Sequence, residues 1–248
     1  MVDGDLIRVL GPIDILTPDG PVSVGGARPR AVLGVLVVGA GHAVSIDHLV
    51  DTVWAGHPPI SALNTLQSYI SDLRHILGAE SIVRVDHSYE LIVAPDMIDA
   101  VRFDRLVADA LESRANPERC RDLCTEALAL WRGRAFGDFA DDDGFRLEAC
   151  RLDELRLVAM ELSLEAELEL GHEELVVGEL ENAVEENPYR EHLWYLLITA
   201  LSRTDRRVEA LRACARLRRE LADVGLEPSD VLASIEHEIL LGPGSDPR

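Results

Sequence analysis

From about Ala100 onward, apolar residues recur every three or four positions with almost no interruption. Residues at that spacing share one helix face, so the pattern builds amphipathic helices rather than strands. The breaks are short: "GH" at 171–172, "NP" at 187–188 and "RTDR" at 203–206. Helices are expected over about 101–113, 117–131, 145–171, 173–187, 190–203, 206–223 and 228–241. Connections this brief force neighbouring helices to run antiparallel.

Two of these pairs read as repeats. In the one beginning at Arg190, Trp194, Leu197, Leu201, Ala210 and Leu217 follow the bulky–small pattern of a tetratricopeptide hairpin. Ala210 would let the second helix approach the first closely. The preceding pair, over 155–187, carries Leu170-Gly171 at its turn and Asn187-Pro188 as its terminator. Arrays of this kind stack through nearest neighbours and present a groove.

The first hundred residues read differently. "LIRVLG" (6–11), "IDIL" (13–16) and "VSVG" (22–25) are strand-like, with "TPDGP" (17–21) as the turn between the last two. Pro29 sits where the first turn of a helix tolerates it, and 29–39 runs apolar to Gly39 and Gly41. Ser45 can cap a second helix over 46–54, which closes at Ala55-Gly56. "HPP" (57–59) breaks the chain before a third helix over 61–77, ended by Gly78. "IVRV" (82–85) and "YELIV" (89–93) then alternate around Asp86-His87-Ser88 as a β-hairpin.

That third helix asks what its outer side is for. Leu63, Leu66, Ile70, Leu73 and Leu77 fall at core spacing. Asn64, Gln67, Ser68, Ser71, Arg74 and His75, with Asp72 among them, are left outside. Most polar helix faces are merely solvated. Strands, three helices and a hairpin in this order, however, make a winged helix-turn-helix, in which the first two helices fix the third so that its free side projects. An α-helix fits the DNA major groove, and Asn, Gln, Ser and Arg supply the donors and acceptors that base edges require. The hairpin is then the wing, from which Arg84 or His87 would reach phosphate or minor groove. The expected fold is mainly α with a small β component: a winged helix-turn-helix followed by an all-α, tetratricopeptide-like helical domain.

Charge sets limits on this reading. The chain carries a formal net charge of −21; residues 1–99 hold 12 acids and 5 arginines, and residues 100–248 hold 33 acids and 19 arginines. Global acidity disfavours non-specific nucleic-acid binding, although it permits a local basic stripe. All 24 cationic residues are Arg, which suits bidentate phosphate contact but also follows from a GC-rich coding sequence. The apolar runs are shorter than the ~18 residues of a membrane span, and the first residues lack the pattern of a signal peptide. A cytoplasmic protein with no membrane partner is the expectation.

Other chemistries leave little trace. Cys120, Cys124, Cys150 and Cys214 are too few and scattered for a disulfide framework. Cys120 and Cys124 share a helix face, yet no second Cys or His pair with ligand spacing accompanies them, and no metal or other cofactor is expected. The three carboxylates of "FADDDGF" (139–145) read as a solvated acidic loop rather than a cation site. His42, His48, His57, His172, His192 and His237 stand isolated, and no phosphate loop, GxSxG or HExxH occurs. The chain is not expected to be an enzyme.

Several stretches carry a family resemblance: "RVLGPIDI", "GGARPRAVLGVLV", "DHLVDTVW", "PPISALNTLQSYISDLRHILG", "LWRGRAF", "ELELGHEEL", "ENPYREHLWYLLITAL" and "EALRACARLRRELADVGLEPS". In this order, and over nearly the whole chain, they resemble the Streptomyces antibiotic regulatory protein family. Its members join an OmpR/PhoB-type winged helix to a bacterial transcriptional activation domain. The resemblance implies domains at 1–97 and 98–248. It implies a transcription activator that binds direct repeats in double-stranded DNA as a homodimer and contacts RNA polymerase. Carried across, it makes Asn64, Thr65, Gln67, Ser68 and Ser71 base readers. Arg28, Arg30, Tyr69, Arg74, His75, Arg84 and His87 become phosphate contacts.

The chain also departs from the family pattern. Asn64, Asp72 and His75 stand where relatives usually carry Arg or Lys, and Asp86-His87-Ser88 replaces a Pro-Gly wing turn. If about three phosphates are neutralised, affinity should fall by only ~1.5 decades between 50 and 200 mM salt. The rival expectation is a protein-interaction module with a weakened DNA-binding domain, acting through its helical-repeat groove.

Overall fold

The computed structural model describes residues 6–241. Contacts divide it into two compact units. One runs to Ala108 and resumes over Glu126–Leu157; the other takes Asp109–Thr125 and the described chain from Val158 onward.

The first unit opens with an antiparallel meander, β1 (Leu6–Arg8), β2 (Asp14–Thr17) and β3 (Gly20–Val22), in the order β1-β2-β3. Ile7 pairs with Ile15, which in turn pairs with Val22. The third strand thus begins at Gly20, two residues before the expected start. Gly20 itself, at φ +119°, pairs with Thr17 across the two-residue turn Pro18-Asp19. Beyond β1 the backbone is held by other means. The carboxylate of Asp99, 1% exposed, accepts the N–H groups of Val9 (2.8 Å) and Leu10 (3.1 Å). The carbonyl of Leu10 accepts from Arg132 N–H at 2.8 Å. Burial pushes the Asp99 carboxyl up to about 6, against the opposing pull of those two N–H donors and of Arg132.

α1 (Ala27–Val38) buries every residue from Ala31 to Val37, as its apolar run requires. Gly34 is needed for close approach: a Cβ there would lie 2.7 Å from the Phe145 ring and 2.9 Å from Ile13 Cδ1. α2 (Ile46–Val53) is capped by Ser45, whose Oγ accepts from His48 N–H at 3.1 Å. It ends at Trp54, followed by left-handed Ala55 and Gly56. α3 (Ala62–Leu77) stops at Gly78, φ +98°. The hairpin is β5 (Ile82–Val85) and β6 (Ser88–Leu91), closed by Asp86, φ +50°, and His87. Aspartate tolerates the left-handed region better than most residues. An unforeseen two-residue strand, β4 (Val44–Ser45), pairs with β6, so the sheet order is β4-β6-β5.

All seven expected helices follow: α4 (Asp99–Glu112), α5 (Pro117–Leu128), α6 (Arg146–Glu169), α7 (Glu173–Glu186), α8 (Glu191–Arg203), α9 (Arg207–Asp223) and α10 (Asp230–Leu241). In the second unit, α7 packs on α8, α8 on α9, and α10 against both α8 and α9. Trp194, Leu197, Leu201, Ala210 and Leu217 are all in its core. Trp194 is fully buried, its Nε1–H donating to Pro188 O at 2.9 Å and Arg216 lying 5.2 Å above its ring. Glu161, 8% exposed, receives Arg190 through two hydrogen bonds of 2.9 and 3.2 Å. A mainly α fold with a small β component, a winged helix and then tetratricopeptide-like helices, is what the chain forms.

Candidate nucleic-acid interface

α3 is fixed by packing against α1, α2 and β5. Its buried stripe is Ala62, Leu66, Ile70 and Leu73, with Leu77 half-buried. Leu63 was expected in that stripe and is not there; it stands 51% exposed, its place in the core taken by Ala62. The physical reason is angular. At 100° per residue Leu63 falls on the shoulder of the stripe, next to Gln67 and Ser71 one and two turns on.

The outward face carries Asn64, Gln67, Ser68, Ser71, Asp72 and His75, all exposed. Thr65 is half-buried and donates its hydroxyl to Ser61 O at 3.0 Å, so it is partly committed to the helix itself. Tyr69 is half-buried and stacks on Trp54, with ring centroids 6.4 Å apart. Arg28, exposed, lies 5.7 Å above that same indole. Trp54 therefore gathers two of the phosphate-contact candidates, one from α1 and one from α3. Trp54 was not among the expected site residues; its signals in the sequence were its place at the end of α2 and in the stretch "DHLVDTVW".

The remaining candidates separate. Arg30 is half-buried and turns its guanidinium over the Phe139 ring at 5.7 Å. Arg74 is half-buried; its Nε–H donates to the β5 carbonyl of Ile82 at 2.7 Å and its guanidinium lies over Tyr89. Sequence spacing placed it on the outward face, whereas here it ties α3 to the hairpin. Arg84 is exposed, with Nε 3.3 Å from Asp86 O. His87, exposed at the hairpin tip, has Nε2 3.5 Å from an Asp47 carboxylate oxygen. A carboxylate thus sits beside each end of the face: Asp72 on α3 and Asp47 below the tip.

Asp141 in the acidic loop is held by Arg134 through two hydrogen bonds of 2.6 and 2.7 Å. Cys120 and Cys124 are buried in the second unit with Leu162 and Ala166, and burial pushes the Cys124 thiol up to about 12, far from a reactive thiolate. Among the described residues, no three His, Cys, Asp or Glu side chains converge as metal ligands. None of the described helices is long and apolar enough to cross a membrane.

A winged helix presenting a polar third helix, followed by helical repeats, defines the class of protein. Residues 98–240 match the bacterial transcriptional activator domain family. The chain is 35% identical to the regulatory protein AfsR of Streptomyces griseus over 239 residues, covering 94% of this chain and 24% of AfsR. It is 34% identical to the regulatory protein DnrI of Streptomyces peucetius, covering 97% of this chain and 94% of DnrI. A solved structure of Mycobacterium tuberculosis EmbR in complex with a low-affinity phosphopeptide superposes with a TM-score of 0.89 at 31% identity. That match covers 96% of this chain and 65% of that one. The chain belongs to the Streptomyces antibiotic regulatory protein family; it is a transcriptional regulator and not an enzyme.

Proposed function

We propose that this regulator binds double-stranded DNA by laying the outward face of α3 in the major groove and activates transcription. One observation supports this most: six contiguous polar side chains, from Asn64 to His75, lie exposed on a helix whose opposite side is locked into the core. Asn and Gln amides match the paired donor and acceptor of adenine, and serine hydroxyls adapt to several base edges. Around that face, Arg28 and Tyr69 at Trp54, with His75, Arg84 and His87, supply phosphate contacts; Arg30 is a weaker candidate because of its position over Phe139. Arg74 acts through the hairpin it holds. With so few cations, one copy grips weakly, so a homodimer on direct repeats and RNA polymerase bound to the helical domain (98–248) would complete the complex in the cytoplasm. The winged-helix domain occupies 1–97 in this reading.

A second reading, a protein-interaction module acting through its helical repeats, draws support from Asp72, exposed on the face where phosphates would lie. Gel shift and footprinting of the full chain on the upstream region of its own gene separate the two. Under the first reading a specific fragment is retained. Asp72→Arg then tightens binding several-fold and steepens the salt dependence by about 0.9 in log–log slope, while Arg74→Ala weakens it. Retention of no specific fragment by the wild type or by Asp72→Arg would favour the interaction module.

A further inference from the structure

The leading turn of α3 is the unusual part of its surface. Ile60, in the loop just before the helix, is 108% exposed, and Leu63 is 51% exposed. Both present aliphatic carbons at the surface, and both precede the amide-bearing residues Asn64 and Gln67. Leu63, Gln67 and Ser71 are spaced i, i+4, i+8, so the leucine continues the polar row rather than interrupting it. Arg74, the one arginine of this helix, is engaged by Ile82 O and Tyr89, and Asp72 lies at the far edge. The groove-facing chemistry is therefore aliphatic, amide and hydroxyl.

In the major groove only one base presents an apolar group, the C5-methyl of thymine, and helix-turn-helix proteins contact base edges with the N-terminal residues of the recognition helix. We infer that Leu63, supported by Ile60, reads thymine methyl groups and is a specificity determinant for the DNA-binding reading on which this rests. The aliphatic carbons stay wet in the free protein and become covered only when a methyl faces them. A cytosine at that position offers no such group, so discrimination follows from the apolar contact without any hydrogen bond. A protein surface is the competing occupant; continuity with the amide row favours DNA.

Uracil substitution provides the test, since dU differs from dT by that methyl alone. In the duplex the full chain retains, each dT is replaced singly by dU, and affinity is measured for wild type, Leu63→Ala and Ile60→Ala. One or two positions should lose roughly threefold to fivefold with wild type. At one of them the loss should vanish in Leu63→Ala, whose exposed side chain leaves folding intact, as circular dichroism would verify. Uniform insensitivity to dU, or sensitivity that persists in both alanine variants, overturns the inference while leaving DNA binding intact. Unchanged DNA affinity in Leu63→Ala with lost transcription activation would also overturn it and assign the pair to a protein partner. Failure to retain any specific duplex would overturn this inference together with the DNA-binding reading.

Discussion

The helical repeats and the α3 face use polar residues in opposite ways. From α6 to α9 several are paired within the unit: Glu161 with Arg190, Trp194 Nε1–H with Pro188 O and, nearer the surface, Arg206 with Glu209 at 2.6 and 2.8 Å. Buried polar groups without partners are costly, and these pairings remove that cost for Glu161 and Trp194, whereas the buried Thr199 hydroxyl of α8 has no hydrogen-bond partner. On α3, Asn64, Gln67, Ser68 and Ser71 remain on the surface instead, above a rigid apolar stripe. On the proposed reading stability and recognition are held in different places, and substitutions should separate them.

The largest effect should come from the repeats. Trp194→Ala removes a fully buried indole and should cost about 3–5 kcal/mol in chemical denaturation while changing DNA affinity little at temperatures where the variant is folded. An equal loss of DNA affinity under those conditions would break the separation. Next is the Asp99 carboxyl, raised to about 6. Because its folded value lies above its unfolded one, the stability it contributes is complete below about pH 4 and is lost as the pH rises through about 6. The loss should be on the order of 3 kcal/mol. Denaturation midpoints at pH 4.5 and 7.5 should therefore show a component that Asp99→Asn abolishes; a midpoint difference unchanged in that variant contradicts it. Gln67→Ala should weaken specific binding by about 1–3 kcal/mol and leave the denaturation midpoint in place. A shift in that midpoint would mean that the face belongs to the fold.

The sequence made the apolar stripes legible because burial repeats with the helix. Leu66, Ile70 and Leu73 on α3, and Trp194, Leu197 and Ala210 in the repeats, stand where spacing put them. It failed where geometry depends on helix angle, on backbone groups or on elements that meet only in the folded unit. Leu63 sits on a shoulder where spacing alone cannot divide core from surface. Arg74 finds a backbone carbonyl eight residues away, and carbonyls have no sequence signature. β4 is two residues long, too short for alternation to register. Trp54 joins Arg28 and Tyr69 only once α1, α2 and α3 have folded together.

The hairpin has strands of four residues and a two-residue tip. Such an arm extends roughly 13 Å from its root, against ~34 Å for one turn of duplex. With α3 seated in a groove, it would touch the sugar-phosphate rail within half a turn and no further. On the proposed DNA-binding reading, a footprint longer than that would call for a second molecule beside the first, and occupancy of a promoter would then depend steeply on how much of the regulator the cell makes.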